Sequence, residues 1–185
     1  MIKIGITGSL ASGKSTVAKI LSAGKYPCFD ADKVVRKIYQ TNTFKTEVYK
    51  KFKLKNKKNI KKILKKIIST DKKSLMMLEK IIHPLVRREI RIFSSKNKKK
   101  KLLIFEIPLL VESKLMKNYD KIIFVNSRKD LRLKRYLKRK NNEKIFNVLN
   151  KRQLPPAKKI KFCDYVINNN GSLKLLKKNI KNIIL

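Results

Sequence analysis

Residues 8–15 constrain the fold of this chain more than any other segment. They read GSLASGKS, which fits the pattern G-x-x-x-x-G-K-[ST]. Before them, residues 1–7 (MIKIGIT) alternate apolar and β-branched residues, which predicts a buried strand. After them, Val17, Ala18 and Leu21 have the spacing of a helix. A strand, a glycine-containing loop and a helix in this order predict a phosphate-binding loop, or P-loop.

The chemistry of such a loop follows from its backbone and from two side chains. Glycine lets successive N–H groups point inward at phosphate oxygens, and the N-terminus of the following helix adds a positive partial charge. Lys14 can reach the β- and γ-phosphates of a nucleoside triphosphate, and the hydroxyl of Ser15 can bind Mg²⁺. The residues predicted to hold the triphosphate are Ala11, Ser12, Gly13, Lys14, Ser15 and Thr16.

Further apolar runs of strand length occur at residues 26–29, 102–107, 121–125 and 164–167. Five short apolar strands that alternate with helices predict an α/β fold of three layers, with helices on both faces of a five-stranded parallel sheet. Residues 33–95 read as helical with several breaks, and Pro84 is predicted to restart a helix in its first turn.

The strongly basic composition has two explanations. Lys and Arg total 50 against 12 Asp and Glu, which gives a net charge of +38. This excess is typical of nucleic-acid-binding proteins. However, only nine of the basic residues are Arg, and the Lys residues are scattered among many Ile and Asn, as A/T-rich codons would produce. We favour compositional drift, and in either case an anionic substrate would be attracted.

Composition also excludes several classes of protein. The apolar content of 42% argues against disorder, and no apolar run approaches the roughly 18–20 residues of a membrane-spanning helix. Cys28 and Cys163 have no neighbouring Cys or His, which excludes a disulfide scaffold and a cysteine-based zinc site. The chain begins directly with the first predicted strand, without a signal peptide, so we expect a cytoplasmic protein.

Acidic residues stand where two predicted strands end. Asp30 and Asp32 follow the second strand, at the edge where parallel sheets bind ligands. Asp32 is the better candidate to accept a proton from an attacking hydroxyl or to orient it. Capping of a helix at residues 33–39 is the alternative for both. Glu106 closes the third strand and is predicted to lie beside the Mg²⁺ ligands; the alternative is a surface glutamate.

A helix is predicted from Ser127 to about Lys140, because Ser127 and Asp130 resemble a capping box. Its spacing places four arginines on one face. They are Arg128, Arg132, Arg135 and Arg139. The repeated choice of Arg in a Lys-rich chain favours bidentate phosphate contacts, and therefore a lid helix that closes over ATP. A solvated basic face is the alternative.

The remaining motifs distinguish among P-loop proteins. No guanine-reading N-K-x-D is present, which argues against a GTPase. Instead, six segments in order resemble those of dephospho-coenzyme A kinases. They are GITGSLASGKSTVA, FDADKVVR, SLMMLEKIIHPLVR, IPLLVE, LRLKRYLKR, and Gln153 followed by CDYVINNNGS. The resemblance implies transfer of a phosphoryl group from ATP, with Mg²⁺, to the ribose 3′-hydroxyl of dephospho-CoA in the last step of coenzyme A synthesis.

The resemblance also implies the organisation of the chain. We expect a single P-loop kinase domain with its core at residues 1–32, 101–126 and 160–185. A helical part that binds dephospho-CoA would span about residues 33–100, and a lid would span about residues 127–159.

Particular residues take roles through this resemblance. Asp32 resembles the family's base or hydroxyl-orienting carboxylate, and Arg139 resembles the lid arginine that stabilises the transferring phosphoryl group. His83 and Arg87 would lie on the dephospho-CoA side, although a helix-end histidine held by packing is the alternative for His83. The residues expected at ATP beyond the P-loop are Arg135, Asn169 and Gly171.

The chain departs from the family pattern in a few places. Ser9 and Ala11 stand where the family usually has glycine, and a methyl group at position 11 disfavours positive φ. Lys140 replaces an acidic residue and Asn126 replaces an aspartate, and the segment after residue 40 is shortened.

Two other functions compete with this interpretation: another small-molecule kinase on the same fold, such as a nucleoside monophosphate kinase, and a lysine-rich NTPase that binds nucleic acid. The expected partners are ATP and dephospho-CoA, with no specific nucleic acid and no membrane. We expect a monomer.

Overall fold

A computed structural model describes residues 1–54, 60, 63–64 and 72–183. The strands in this part of the chain are β1 (Ile2–Gly8), β2 (Cys28–Asp30), β3 (Leu102–Glu106), β4 (Lys121–Asn126) and β5 (Tyr165–Asn168). The helices are α1 (Lys14–Ser22), α2 (Ala31–Ile38), α3 (Asn42–Lys51), α4 (Lys72–Lys96), α5 (Lys129–Leu137), α6 (Glu143–Arg152), α7 (Pro156–Ile160) and α8 (Leu173–Lys181), and a 3₁₀ turn covers Met116–Asn118. The helical prediction for residues 55–59, 61–62 and 65–71 lies outside the described residues.

The strands form one parallel sheet in the order β2-β3-β1-β4-β5, which confirms the predicted fold class. Successive side chains of a strand point to opposite faces of a sheet, so Ile4 and Ile6 of β1 share one face. Both are fully buried there, in a cluster with Val17 of α1 and Leu176 of α8. This packing fixes α1, and with it the P-loop, against the sheet.

The chain divides into two compact units. The first contains the sheet and comprises residues 1–30 and 97–185, and the second comprises residues 31–96. The second unit has a core of its own, in which Phe44 and Val48 of α3 are buried with Leu78 of α4. No helix of the described residues is long and apolar enough to cross a membrane.

The prediction that Pro84 restarts a helix is wrong, because α4 runs without interruption from Lys72 to Lys96. A proline inside a helix removes one backbone hydrogen bond and costs about 3 kcal/mol. The apolar stripe of α4 continues on both sides of it, since Leu78 and Ile82 before Pro84 and Leu85 after it all pack in the core of the second unit. Packing therefore carries the helix through Pro84.

The predicted capping box at Ser127 is also wrong. Helix α5 begins at Lys129, its N-cap is Arg128, and the cap makes no side-chain hydrogen bond. The hydroxyl of Ser127 instead donates to the backbone oxygen of Asn169 over 3.0 Å and accepts from Arg135 over 2.9 Å. A hydroxyl used in tertiary contacts is not available to the helix end.

Candidate active site

Both glycines of the P-loop motif are required by close contacts. Gly8 has φ 153°, and a Cβ atom there would lie 2.5 Å from the backbone oxygen of Val125 on β4. Gly13 has φ 98° at the N-cap of α1, and a Cβ atom there would collide with Nδ2 of Asn169. Only glycine fits either position, because both a positive φ and a steric clash penalise a side chain.

The loop takes up a left-handed conformation at Ala11, where φ is 58°. For a residue with a Cβ atom this conformation costs roughly 1–2 kcal/mol. The loop therefore keeps a glycine-like backbone at a position where the chain has alanine, and the surrounding structure must offset the cost.

Lys14 lies in the P-loop in a folded-back conformation. The residue is 8% exposed, and its Nζ donates to the backbone oxygens of Gly8 over 3.3 Å and of Ser9 over 3.0 Å. The ammonium group is thus held against the loop that leads into helix α1. A cation and a helix N-terminus together make this loop strongly attractive to a phosphate group.

Ser15 and Glu106 meet at the carboxyl edge of the sheet. The Ser15 hydroxyl donates to Oε1 of Glu106 over 2.7 Å, and Glu106 is only 7% exposed, which excludes the alternative of a surface glutamate. Asp30 stands in register with Glu106 on the neighbouring strand. Hydroxyl and carboxylate oxygens are the donors that Mg²⁺ prefers. Because Ser15 directs its proton to Glu106, its lone pairs are left for a cation, so this donor set fits Mg²⁺.

No group of three or more His, Cys, Asp or Glu able to hold a metal ion by itself occurs in the part of the chain that the structure describes. Mg²⁺ in kinase sites is commonly held by one or two protein oxygens together with substrate phosphates and water. The hydroxyl of Ser15, hydrogen-bonded to Glu106, offers a protein oxygen of this kind.

Asn169 braces the P-loop from the end of β5. Its Nδ2 donates to the backbone oxygen of Ser12 over 2.8 Å, and the residue is buried. Nη2 of Arg135 donates to the backbone oxygen of Asn169 over 2.9 Å. The structure therefore brings the predicted ATP residues Asn169 and Arg135 next to the P-loop, while Gly171, two residues further, is exposed.

The four arginines do not share one helix face, so this part of the prediction is wrong. Arg128 precedes α5 and is exposed, with an ion pair to Asp130 at 3.1 Å. Arg139 follows the end of α5 at Leu137 and is exposed as well. Arg132 is buried and Arg135 is half-buried. The helix is shorter than its sequence pattern indicated, because the backbone is extended at Arg128, with ψ 146°, and turns left-handed at Lys140, with φ 58°.

Three predicted site residues belong to the second unit. Asp32 is exposed and lies in the first turn of α2. Because α2 begins at Ala31, Asp32 is inside the helix and not at its N-cap. His83 and Arg87 lie one turn apart on α4, with His83 half-buried in mid-helix, so the helix-end interpretation of His83 is wrong. Burial, and after it the charge of Asp32, raises the pKa of Tyr39 above its ordinary value.

Two further side chains contact the P-loop: Arg132, which the sequence placed only in the arginine stripe of the lid helix, and Gln153, which it named only within the family resemblance. Gln153 accepts a hydrogen bond from the N–H of Leu10, and Arg132 donates one to its backbone oxygen. Nothing in the sequence predicted that Gln153 contacts Leu10, because the two residues are 143 positions apart in the chain. The choice of Arg at position 132 in a Lys-rich chain was the only signal available.

The sheet order and the P-loop after β1 define a P-loop kinase. The fold is similar to that of shikimate kinase from Acinetobacter baumannii, with a TM-score of 0.60 at 13% identity over 98% of this chain and 92% of the other. The family model of dephospho-CoA kinases matches residues 2–174. The chain belongs to the dephospho-CoA kinase family, and it is therefore an ATP-using kinase.

Individual relatives agree with this assignment. The dephospho-CoA kinase of Fusobacterium nucleatum is 38% identical over 96% of this chain and 94% of its own length. That of Aquifex aeolicus is 36% identical over 99% of this chain and 96% of its own length. The solved dephospho-CoA kinase of Campylobacter jejuni has a TM-score of 0.62 at 29% identity, with 97% of this chain and 93% of the other covered.

Proposed function

We propose that the P-loop of this kinase holds ATP with Mg²⁺, and that Asp32 orients the 3′-hydroxyl of dephospho-CoA for attack on the γ-phosphorus. The products are CoA and ADP. The observation that carries this proposal is the hydrogen bond from Ser15 to Glu106 beside the buried Lys14, in a chain whose family match spans residues 2–174.

Lys14 would supply the main fixed charge of the reaction. Its Nζ can exchange the backbone oxygens of Gly8 and Ser9 for phosphate oxygens without a large movement, because those carbonyls belong to the loop itself. Phosphoryl transfer depends mainly on positioning and on stabilisation of charge at the transferred group. A preorganised cation contributes most when it is already in place before the reaction.

Mg²⁺ would be held by the hydroxyl of Ser15, and Glu106 would keep that hydroxyl oriented by accepting its hydrogen bond. When bound, the ion neutralises charge on the β- and γ-phosphates. The buried Glu106 adds negative charge beside the cation without being needed as a direct ligand.

Asp32 and Arg139 would act on the reacting groups themselves. Asp32 is an exposed carboxylate, which leaves it accessible to the substrate hydroxyl. Arg139 is exposed beyond the end of α5, and we propose that it reaches the transferring phosphoryl group when the lid covers ATP and excludes water.

The remaining residues would bind rather than react. His83 and Arg87 share one side of α4 and would contact dephospho-CoA. Asn169 and Gly171 would lie near the adenine of ATP, and Arg135 would support that loop through its bond to the Asn169 backbone. We further expect the enzyme to act as a monomer in the cytoplasm, where ATP and coenzyme A precursors are available.

The experiment that tests this function is a comparison of acceptors. The protein is incubated with ATP, Mg²⁺ and dephospho-CoA, AMP, UMP or shikimate, and each product is identified by mass. Formation of CoA at the highest rate is the expected result, with phosphate on the 3′-oxygen confirmed by ³¹P NMR. Faster phosphorylation of AMP, UMP or shikimate under matched conditions would contradict it.

A second assay addresses the charge of +38. Binding to DNA or RNA should be weak, indifferent to sequence, and lost steeply as salt rises. The rate of ATP hydrolysis should not increase when nucleic acid is added. Strong stimulation at physiological salt would favour a nucleic-acid-dependent NTPase instead.

A further inference from the structure

Both backbone polar groups of Leu10, in the middle of the P-loop, are bound by side chains from distant parts of the chain. The N–H of Leu10 donates to Oε1 of Gln153 over 2.8 Å. The backbone oxygen of Leu10 accepts from Nη1 of Arg132 over 3.2 Å. Arg132 lies in α5 and Gln153 directly follows α6, so two helical segments of the predicted lid hold a single residue of the P-loop.

The guanidinium of Arg132 is built into the protein rather than placed at its surface. Arg132 is 5% exposed; its Nε donates to the backbone oxygen of Ser127 over 3.0 Å, and its Nη1 also donates to Oδ1 of Asn150 over 2.8 Å. The group lies 5.7 Å from the ring centroid of Phe146. Burial lowers the pKa of Arg132, although an arginine in a protein stays protonated. Burial and these contacts together hold the guanidinium in place.

Gln153 is held as firmly through its neighbour in the chain. The N–H of Leu154 donates to Oε1 of Glu112 over 3.1 Å, and the same oxygen forms an ion pair of 2.5 Å with the fully buried Lys159. Lys159 also contacts the backbone oxygen of Pro108 at 3.4 Å, at the edge of the sheet. The backbone that presents the Gln153 side chain is therefore anchored to the core.

The position of these contacts matters because of the residue that follows. The bound oxygen of Leu10 belongs to the peptide group that leads into Ala11, and the orientation of this peptide group sets φ of Ala11. That angle is 58°, a conformation that alanine adopts at a cost. Costly backbone angles persist only where the surroundings fix them. Arg132 holds this peptide group directly, and Gln153 holds the preceding one through the N–H of Leu10.

We propose that Arg132 and Gln153 are positioning residues, which keep the P-loop in its phosphate-binding conformation by binding both backbone polar groups of Leu10. This inference rests on the proposed role of the loop as the ATP site. Neither side chain needs to touch the nucleotide, and neither acts on the phosphoryl group. Nucleotide affinity thus depends on α5 and α6 through contacts that are complete before ATP arrives.

The test compares Arg132→Gln and Gln153→Met with Lys134→Gln. Lys134 is an exposed residue of the same helix as Arg132, so its variant loses the same charge without touching the loop. ADP affinity is measured by calorimetry and the KM values by steady-state kinetics, after circular dichroism has shown that each variant is folded. We expect ADP affinity to fall about tenfold or more in the first two variants, as the loss of a charged or buried hydrogen bond predicts, and to stay unchanged in the third.

Two further readouts separate positioning from general stability. The KM for dephospho-CoA at saturating ATP should be unchanged, because the acceptor does not bind the Leu10 backbone. Ala11→Gly introduced into Arg132→Gln should recover several-fold of the lost ADP affinity, because glycine accepts a positive φ without support. If the two residues had a purely structural role, the variants would have a lower melting temperature but an unchanged ADP affinity, and Ala11→Gly would not raise that affinity.

Several outcomes would overturn the proposal. They are wild-type ADP affinity in both folded variants, an equal loss in Lys134→Gln, and no rescue by Ala11→Gly. If Arg132→Gln does not fold, Gln153→Met, which leaves every buried charge in place, decides alone. Failure of the proposed function is a separate result, since it would appear as absence of CoA formation by the unaltered enzyme, whereas ADP binding needs no acceptor.

Discussion

The hydroxyl of Ser15 donates a 2.7 Å hydrogen bond to Oε1 of Glu106, and so joins the first turn of α1 to the last residue of β3. The two residues are 91 positions apart in the chain. The parallel sheet brings them together, because β1 and β3 pair in register and both end at the same edge. The Mg²⁺ site proposed above would thus combine a residue of the P-loop motif with the end of a neighbouring strand.

The first prediction concerns the charge of Glu106. Glu106→Gln keeps an acceptor for the Ser15 hydroxyl but removes the negative charge, so the enzyme should need more Mg²⁺ for half-maximal activity. We expect kcat at fixed Mg²⁺ to fall about 10- to 100-fold, as for loss of one preorganised electrostatic group. The measurement is a Mg²⁺ titration of the initial rate, with Glu143→Gln, an exposed glutamate of α6, as the control. An unchanged Mg²⁺ requirement would mean that the charge of Glu106 does not assist Mg²⁺ binding and that Glu106 only orients the Ser15 hydroxyl.

The second prediction concerns Lys14. Lys14→Ala leaves the loop amides in place, so ATP should still bind weakly, while kcat should fall roughly 10²-fold or more. Rates and ATP binding are measured separately, and Lys19→Ala on the exposed side of α1 is the control for loss of a nearby charge. Turnover close to that of the unaltered enzyme would remove Lys14 from the catalytic machinery.

The third prediction concerns Asp32, which is exposed in the first turn of α2. Asp32→Asn keeps the shape and loses the charge, so both substrates should bind while most of kcat is lost, by about 10²-fold or more for a missing general base. Thermal unfolding should change little because the side chain is exposed. The assay is single-turnover phosphoryl transfer at saturating substrates, and an unaltered rate would leave Asp32 only as part of the helix start.

The sequence was sufficient for the parts of the molecule that depend on local patterns. The P-loop and all five strands are predicted by motif and by apolar runs. The central strands β1, β3 and β4 are buried on both faces and read as continuous apolar runs, whereas the edge strands β2 and β5 leave Cys28 and Val166 exposed. Contacts between distant segments were not predictable. Nothing in the spacing around Ser127 indicates that its hydroxyl binds Asn169 rather than the end of its own helix.

Burial and tertiary packing also overrode two local rules. Pro84 normally ends or restarts a helix, but the apolar stripe on both sides of it keeps α4 continuous. The prediction of an arginine stripe required a helix that spans all four arginines. In the structure Arg132 is buried, whereas Arg128 and Arg139 lie outside the helix and are exposed. Which arginine would be buried depended on the position of Leu10, which the sequence alone does not give.

The fourth prediction is a pH dependence of stability. Burial, and after it the charge of Asp164, raises the pKa of Cys163 to about 11 against an opposing effect of Lys159. The unfolded chain therefore loses this proton at a lower pH than the folded chain, so this contribution to stability is complete below pH 9 and is lost as the pH rises toward about 11. The free energy of unfolding of the enzyme and of Cys163→Ala is measured with denaturant between about pH 8 and 11. It should decline less steeply with pH in the variant. Parallel curves would assign the decline to other groups.

The last prediction separates a lid function of Arg139 from a merely basic surface. Arg139 is exposed beyond the end of α5, whereas Arg128 is exposed before its start and already pairs with Asp130. Arg139→Lys keeps the charge but loses the two-pronged geometry, so a deficit reports geometry and not net charge. We expect it to lower kcat by about tenfold while the KM for dephospho-CoA changes little, since only an interaction made in the transition state is removed. Arg128→Lys, the same change at the other end of the helix, should be silent. Equal and small effects in both variants would mean that these arginines form a solvated face, and the assignment of Arg139 to the lid would then be wrong.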